Sequence, residues 1–233
     1  MKFKAQCLVT IALLLLSFSG LTSKASAAFV PAGLNAGDTY QLAFVTSGSR
    51  NGASANIADY NAFVQAQAAL NPTNTGTDVG VNWKAIVSTL SVDAKDNAPV
   101  VAPVYRFDGT LISTAGPTIY SGSLNATISL TQFGTSQADS FVWTGSNEFG
   151  VENGAGAMGT GSPRVGIWGA SNNFWAIFTA SSSGTLHPLY GLSEVLTVPG
   201  SPVPEPASLA TWGIGALGMV FAGRKRRQLK LAA

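Results

Sequence analysis

Cysteine is almost missing from this chain. Its single copy, Cys7, lies in an apolar N-terminal stretch, and the preceding Lys4-Ala5-Gln6 is no lipoprotein cleavage box. Beyond that stretch there is none, which excludes structural disulfides, thiolate metal sites and a cysteine nucleophile. Histidine is as scarce, with His187 alone. Zinc sites usually draw on several His or Cys ligands, so no metal and no cofactor is expected. A serine triad needs a nucleophile, a base and an orienting acid, and no Gly-x-Ser-x-Gly elbow is present. His187 precedes Pro188 in a Ser/Gly-rich stretch and reads as a solvated loop residue.

Charge is thin and unevenly placed. Charged residues make up 10% of the 233, and the formal net charge is +2. Eight of the 13 cations lie at the two ends. Only Arg50, Lys84, Lys95, Arg106 and Arg164 fall between, against ten acids, so the body's net charge is about −5. Affinity for nucleic acid comes largely from neutralising phosphates, so a nucleic-acid partner is not expected.

What is present begins with two terminal addresses. Lys2 and Lys4 precede an apolar stretch centred on Leu13–Leu16, and Ala25-Ser26-Ala27 places small residues where a signal peptidase reads. These are the parts of a secretory signal over residues 1–27, cleaved after Ala27, with Ala28 the alternative. At the other end, Pro204-Glu205-Pro206 leads into an apolar run, 207–223, and then into Arg224-Lys225-Arg226-Arg227. As a helix, 17 residues span roughly 26 Å, a little short of the ~30 Å hydrocarbon core. The basic cluster stays cytoplasmic, so the body is exported through the inner membrane. An ordinary single-span membrane anchor is the alternative reading.

The segment from Val203 to Gln228 resembles the PEP-CTERM sorting signal of Gram-negative bacteria. The resemblance implies recognition by exosortase, a transpeptidase-like membrane protease. It also implies cleavage near the motif, loss of the helix, passing contact with the inner membrane, and a destination at the cell surface or outside the cell. It further implies a host that makes exopolysaccharide. Residues 229–233 form a short tail. Under this reading Pro204, Glu205 and Pro206 are substrate determinants and not catalytic groups.

The body, 28–198, has the length of one domain, and 199–203 is a Pro-rich linker. Thr39 to Thr46 reads as a strand with Tyr40, Leu42 and Phe44 on one face. Ser54 reads as the cap of a helix running to about Leu70, with Ile57, Tyr60, Phe63 and Val64 at helical spacing. Asn71-Pro72 ends it. A second helix is expected over about 82–90. Asp108-Gly109 marks a hairpin between Val104–Phe107 and Thr110–Ser113. Further short strands are expected at 126–130, 140–144, 164–168, 175–180 and 189–198, which gives an α+β class.

The pieces Phe44-Val45-Thr46-Ser47, Trp83-Lys84-Ala85-Ile86-Val87-Ser88, Tyr105-Arg106-Phe107-Asp108-Gly109-Thr110, Phe141-Val142-Trp143-Thr144-Gly145 and Leu189-Tyr190-Gly191-Leu192 resemble bacterial secreted C-type lectin-like domains. The resemblance implies two N-terminal helices followed by irregular antiparallel strands. The Glu-Pro-Asn or Gln-Pro-Asp loop and the Trp-Asn-Asp strand of calcium-dependent lectins are absent, so their sugar site does not carry over.

Candidate chemistry is sparse. Glu148 and Glu152, or Asp93 and Asp96, offer paired carboxylates for a glycosidase. Asn147, Glu148, Glu152 and Asn153 offer oxygen ligands for calcium. Trp143, Trp168 and Trp175, with Phe174, are the best candidates for glycan contact, but core packing is the favoured reading of them, since aromatic residues in β-rich domains mostly bury area. The sequence thus points to a non-enzymatic surface or matrix protein that adheres or binds extracellular polysaccharide. A carboxylate-dependent hydrolase is the rival.

Overall fold

A computed structural model describes residues 28–200, apart from 116–118, 139 and 153. The signal, the sorting motif, the apolar run 207–223 and the basic cluster lie outside the described residues. So do Ala25 and Ala27.

Strand β1 (Thr39–Val45) organises the domain, and it is buried from Tyr40 onward. Tyr40, Leu42 and Phe44 point into one apolar cluster with Tyr60, Val64, Trp83 and Trp143. Ala43 and Val45 point into a second, with Ile86, Ile112, Ile128, Trp175 and Tyr190. Both faces of the strand are therefore core, and the one-sided pattern expected of it is incomplete.

Around β1 lie β2 (Trp83–Ala85), β3 (Val104–Tyr105), β4 (Leu111–Ser113), β8 (Tyr190–Ser193) and β9 (Leu196–Thr197). The order is β2-β8-β1-β3-β4, with β9 pairing the start of β1. Phe44 faces Gly191, and Tyr40 faces Leu196, both in antiparallel register. The chain's two described ends are thus closed on one another. Strand β3 lies parallel to β1, which departs from the all-antiparallel expectation. A three-stranded antiparallel sheet follows: β5 (Phe141–Trp143), β6 (Arg164–Ile167) and β7 (Thr179–Ala180). Gly166 in β6 runs against the backbone of Trp175, and a Cβ there would stand 1.9 Å from the Trp175 carbonyl oxygen. Only glycine permits that approach.

Helix α1 (Ile57–Ala68) starts at Asn56, whose side chain accepts a hydrogen bond from the Ala58 N–H. Ser54 is not the cap. Its hydroxyl donates to the Asp59 carboxylate and accepts from the Asn56 N–H. Pro72 does end the helix's run and opens a single turn, α2 (Pro72–Thr75). A further short turn, α3 (Ala94–Asn97), follows β2.

The second helix expected over about 82–90 does not form; the strand β2 stands there instead. Trp83, Ala85 and Val87 face the first cluster and Ile86 the second, which is strand alternation buried on both sides. Side chains of α1 cover the edge of β2. Gln65 Oε1 accepts from the Trp83 N–H at 2.7 Å, and Asn61 Oδ1 accepts from the Ala85 N–H at 2.9 Å. Asn97 pairs reciprocally with Asn61 and donates to the Ala85 carbonyl at 2.8 Å. An exposed strand edge invites pairing with another chain, and these amides close it.

The Asp108-Gly109 hairpin forms as expected. Gly109 has φ of +83°, and the Asp108 carboxylate accepts from the Thr110 N–H at 3.0 Å and pairs with Arg106 at 2.7 Å. Burial pushes the Asp108 carboxyl up, but hydrogen bonds from Arg106 and Thr110 and the Arg106 charge outweigh it, so its pKa falls below the usual value. Segment 126–130 is not a strand, although the Leu130 carbonyl accepts from the Val45 N–H. The stretch 175–180 begins with a helical turn, Asn173–Trp175, before β7.

Candidate functional site

Two of the three tryptophans that were candidates for glycan contact are core residues, as the packing reading has it. Trp143 is wholly buried, its indole N–H donates to the Arg50 carbonyl at 2.9 Å, and its ring meets His187 edge-on at 4.8 Å. Trp175 is 1% exposed and packs against Tyr190 at 5.9 Å. Neither presents a face to solvent, so the glycan-contact expectation is corrected for both. Their apolar area is worth more inside, since large rings dominate core energetics. Trp168 is partly buried against the second cluster. Exposed aromatic residues lie elsewhere, at Phe133, Phe149, Phe174 and Phe178; Phe174 packs edge-on to Phe178, which stacks on the partly buried Phe141.

His187 is not a solvated residue either. It is 6% exposed, lies edge-on to Phe141 and Trp143, and has Ser181 Oγ 3.0 Å from its Nε2. Its backbone exchanges two hydrogen bonds with Arg50. The imidazole thus fastens the 181–187 loop to the first cluster. The sequence signal was the adjoining Pro188-Leu189-Tyr190 run, which is buried throughout.

The acidic loop is used by the backbone. Asn147 Oδ1 accepts from the N–H groups of Phe149 and Val151. The Glu152 carboxylate accepts from the Gly154 N–H. Asp93 accepts from the Glu152 N–H at 2.7 Å and lies 3.9 Å from the Lys95 ammonium. Among the described residues, no group of three His, Cys, Asp or Glu side chains is placed to hold a metal ion. Asn153 lies outside the described residues.

A cleft of about 410 Å³ opens beside β2 and the end of β8, and nothing in the sequence marked it. One rim is the Ala98–Val101 segment, the other Ser193–Val195, and Lys84 and Asn82 close the side. Gln41 ties the two rims from beneath, at 2% exposure. Its Nε2 donates to the carbonyls of Pro99 and Ser193 at 3.1 and 2.9 Å, and its Oε1 accepts from the N–H groups of Val101 and Ala102. All of that amide's hydrogen-bonding capacity is spent on backbone, which fixes the width of the cleft. At the rim, Glu194 Oε1 accepts from the backbone N–H and the Nδ2 of Asn82 at 3.0 and 3.3 Å. Among the described residues, the Lys84 ammonium forms no ion pair.

With the body's geometry in hand, the terminal segment can be placed. Residues 202–227 match the family model of the PEP-CTERM protein-sorting motif. The chain carries a PEP-CTERM sorting signal. The match includes Pro204, Glu205, Pro206 and the cluster Arg224 to Arg227. The motif implies an exosortase substrate, exported and located at the surface or outside the cell after processing. No curated protein matches the chain. Among the described residues, no helix is long and apolar enough to cross a membrane.

Proposed function

We propose that the chain is a non-enzymatic surface or matrix protein whose exported body binds extracellular polysaccharide, and that exosortase removes the apolar helix 207–223. The PEP-CTERM motif at 202–227 carries this reading. Signal peptidase acts first, at Ala25-Ser26-Ala27. Glu205 and its flanking prolines then present the cleavage region, while Arg224 to Arg227 hold the helix in the membrane by the positive-inside rule.

In the acidic loop, Asp93 and Glu152 each accept a backbone N–H and so help to hold the loop together. A C-type lectin-like fold is part of the same proposal; of the two helices it implies, α1 forms, and β2 stands where the second was expected.

The test is Glu205→Ala in cells that have exosortase. A longer, membrane-retained precursor is expected, and normal processing of that variant would overturn the sorting role.

A further inference from the structure

The cleft beside β2 is of ligand size, and its chemistry narrows the ligand. Its volume, about 410 Å³, falls in the range of small-ligand sites, roughly 300–1,000 Å³. Gln41 holds both rims by four hydrogen bonds, so the cleft is formed before any ligand arrives. A preformed site spares the ordering cost of binding.

The polar groups on the cleft are of both kinds. Lys84 brings donors with no ion-pair partner among the described residues. Glu194 brings a carboxylate already oriented by Asn82, with lone pairs left over. A ligand satisfying both must accept and donate, which neighbouring hydroxyls do. One cation and one anion leave the cleft near neutral, and a body of about −5 disfavours polyanions. Val101 and Val195, 63% and 42% exposed, stand with Pro99 as an apolar rim against which the C–H face of a sugar ring packs.

We infer that this cleft is the body's glycan subsite and takes a neutral hexose unit: Lys84 and Glu194 hold vicinal hydroxyls and Pro99, Val101 and Val195 cover the ring's apolar face. This rests on the polysaccharide-binding reading above and adds the place and the class of sugar.

The test uses the processed protein purified from exporting cells. It is titrated by NMR with lactose, maltose, cellobiose and a polyuronate oligomer. At least one neutral disaccharide is expected to bind and the polyuronate not to. Val101→Trp, which fills the cleft from an exposed position, and Lys84→Ala should each weaken binding about tenfold or more. Phe178→Ser, on the exposed aromatic face, should leave it unchanged. Near-UV circular dichroism checks that each variant stays folded. Neutral-sugar binding that survives Val101→Trp but is lost in Phe178→Ser would move the site to the aromatic face and overturn the cleft. Binding of the polyuronate alone would overturn the neutral-ligand assignment. Binding of no glycan by the unaltered protein would overturn the polysaccharide reading itself, and the cleft assignment with it.

Discussion

The sorting segment and the exported body store their information differently. In residues 202–227 the order of a polar motif, an apolar run and a basic cluster is the whole message, and a single side chain such as Glu205 can carry its meaning. In the body, meaning lies in which distant residues meet. Gln41 binds carbonyls 58 and 152 residues away, and Trp143 hydrogen-bonds a carbonyl 93 residues earlier. A linear motif is readable without folding; a packed site is not.

That contrast is open to breaking. If the body's information is packing, truncating its largest core ring must be severe. Trp143→Ala is expected to cost about 3–5 kcal/mol, as deletion of a buried aromatic ring does. It also removes one of the two hydrogen bonds to the Arg50 carbonyl and the ring against His187. Urea unfolding measures it, and a cost below about 1 kcal/mol would mean that the ring is not core. Glu205→Ala should leave the same unfolding curve unmoved.

A smaller loss is expected at the covered strand edge. Asn61→Ala removes the acceptor of the Ala85 N–H and the partner of Asn97. Leaving a buried donor unpaired costs about 1–3 kcal/mol. The variant should also self-associate more readily, because the β2 edge is then partly open. Sedimentation velocity reads this directly.

The smallest effect is a pH dependence. Burial raises the Tyr60 hydroxyl to about 12, against lowering by Arg50 and by its bond to Ser54. Tyr40, Tyr120 and Tyr190 are raised by burial as well. A raised tyrosine pKa means that the folded state holds its proton longer than the unfolded one. The resulting stability is full below pH 10 and is lost as the pH climbs toward 12. Alkaline difference absorbance should therefore show the ionisation of these four coinciding with unfolding.

Local signals in the sequence were legible where local physics decides. The strand at Thr39–Val45, the strands near 141–143 and 164–167, the turn at Asp108-Gly109 and the stop at Asn71-Pro72 all form close to where they read. Segment 82–90 misled because every residue from Trp83 to Val87 except Lys84 is apolar. A strand buried on both faces shows no polar alternation, so its apolar spacing passes for a helix. Trp143 and Trp175 pack the core, the favoured reading for tryptophans in a β-rich domain, although residue type alone does not say which side of a sheet faces solvent. His187 looked exposed from its Ser/Gly neighbours, but the residues after it carry it into the core. The cleft was illegible altogether. Lys84, Asn82 and Glu194 are unremarkable singly, and only the pairing of β2 with β8 brings them together.

Mass spectrometry of the mature protein's C-terminus reads the exosortase cleavage itself. A chain ending close to Pro204-Glu205-Pro206 and lacking residues 207–233 is expected. A mature chain that still ends at Ala233, in cells with active exosortase, would contradict it and leave the segment as a plain membrane anchor.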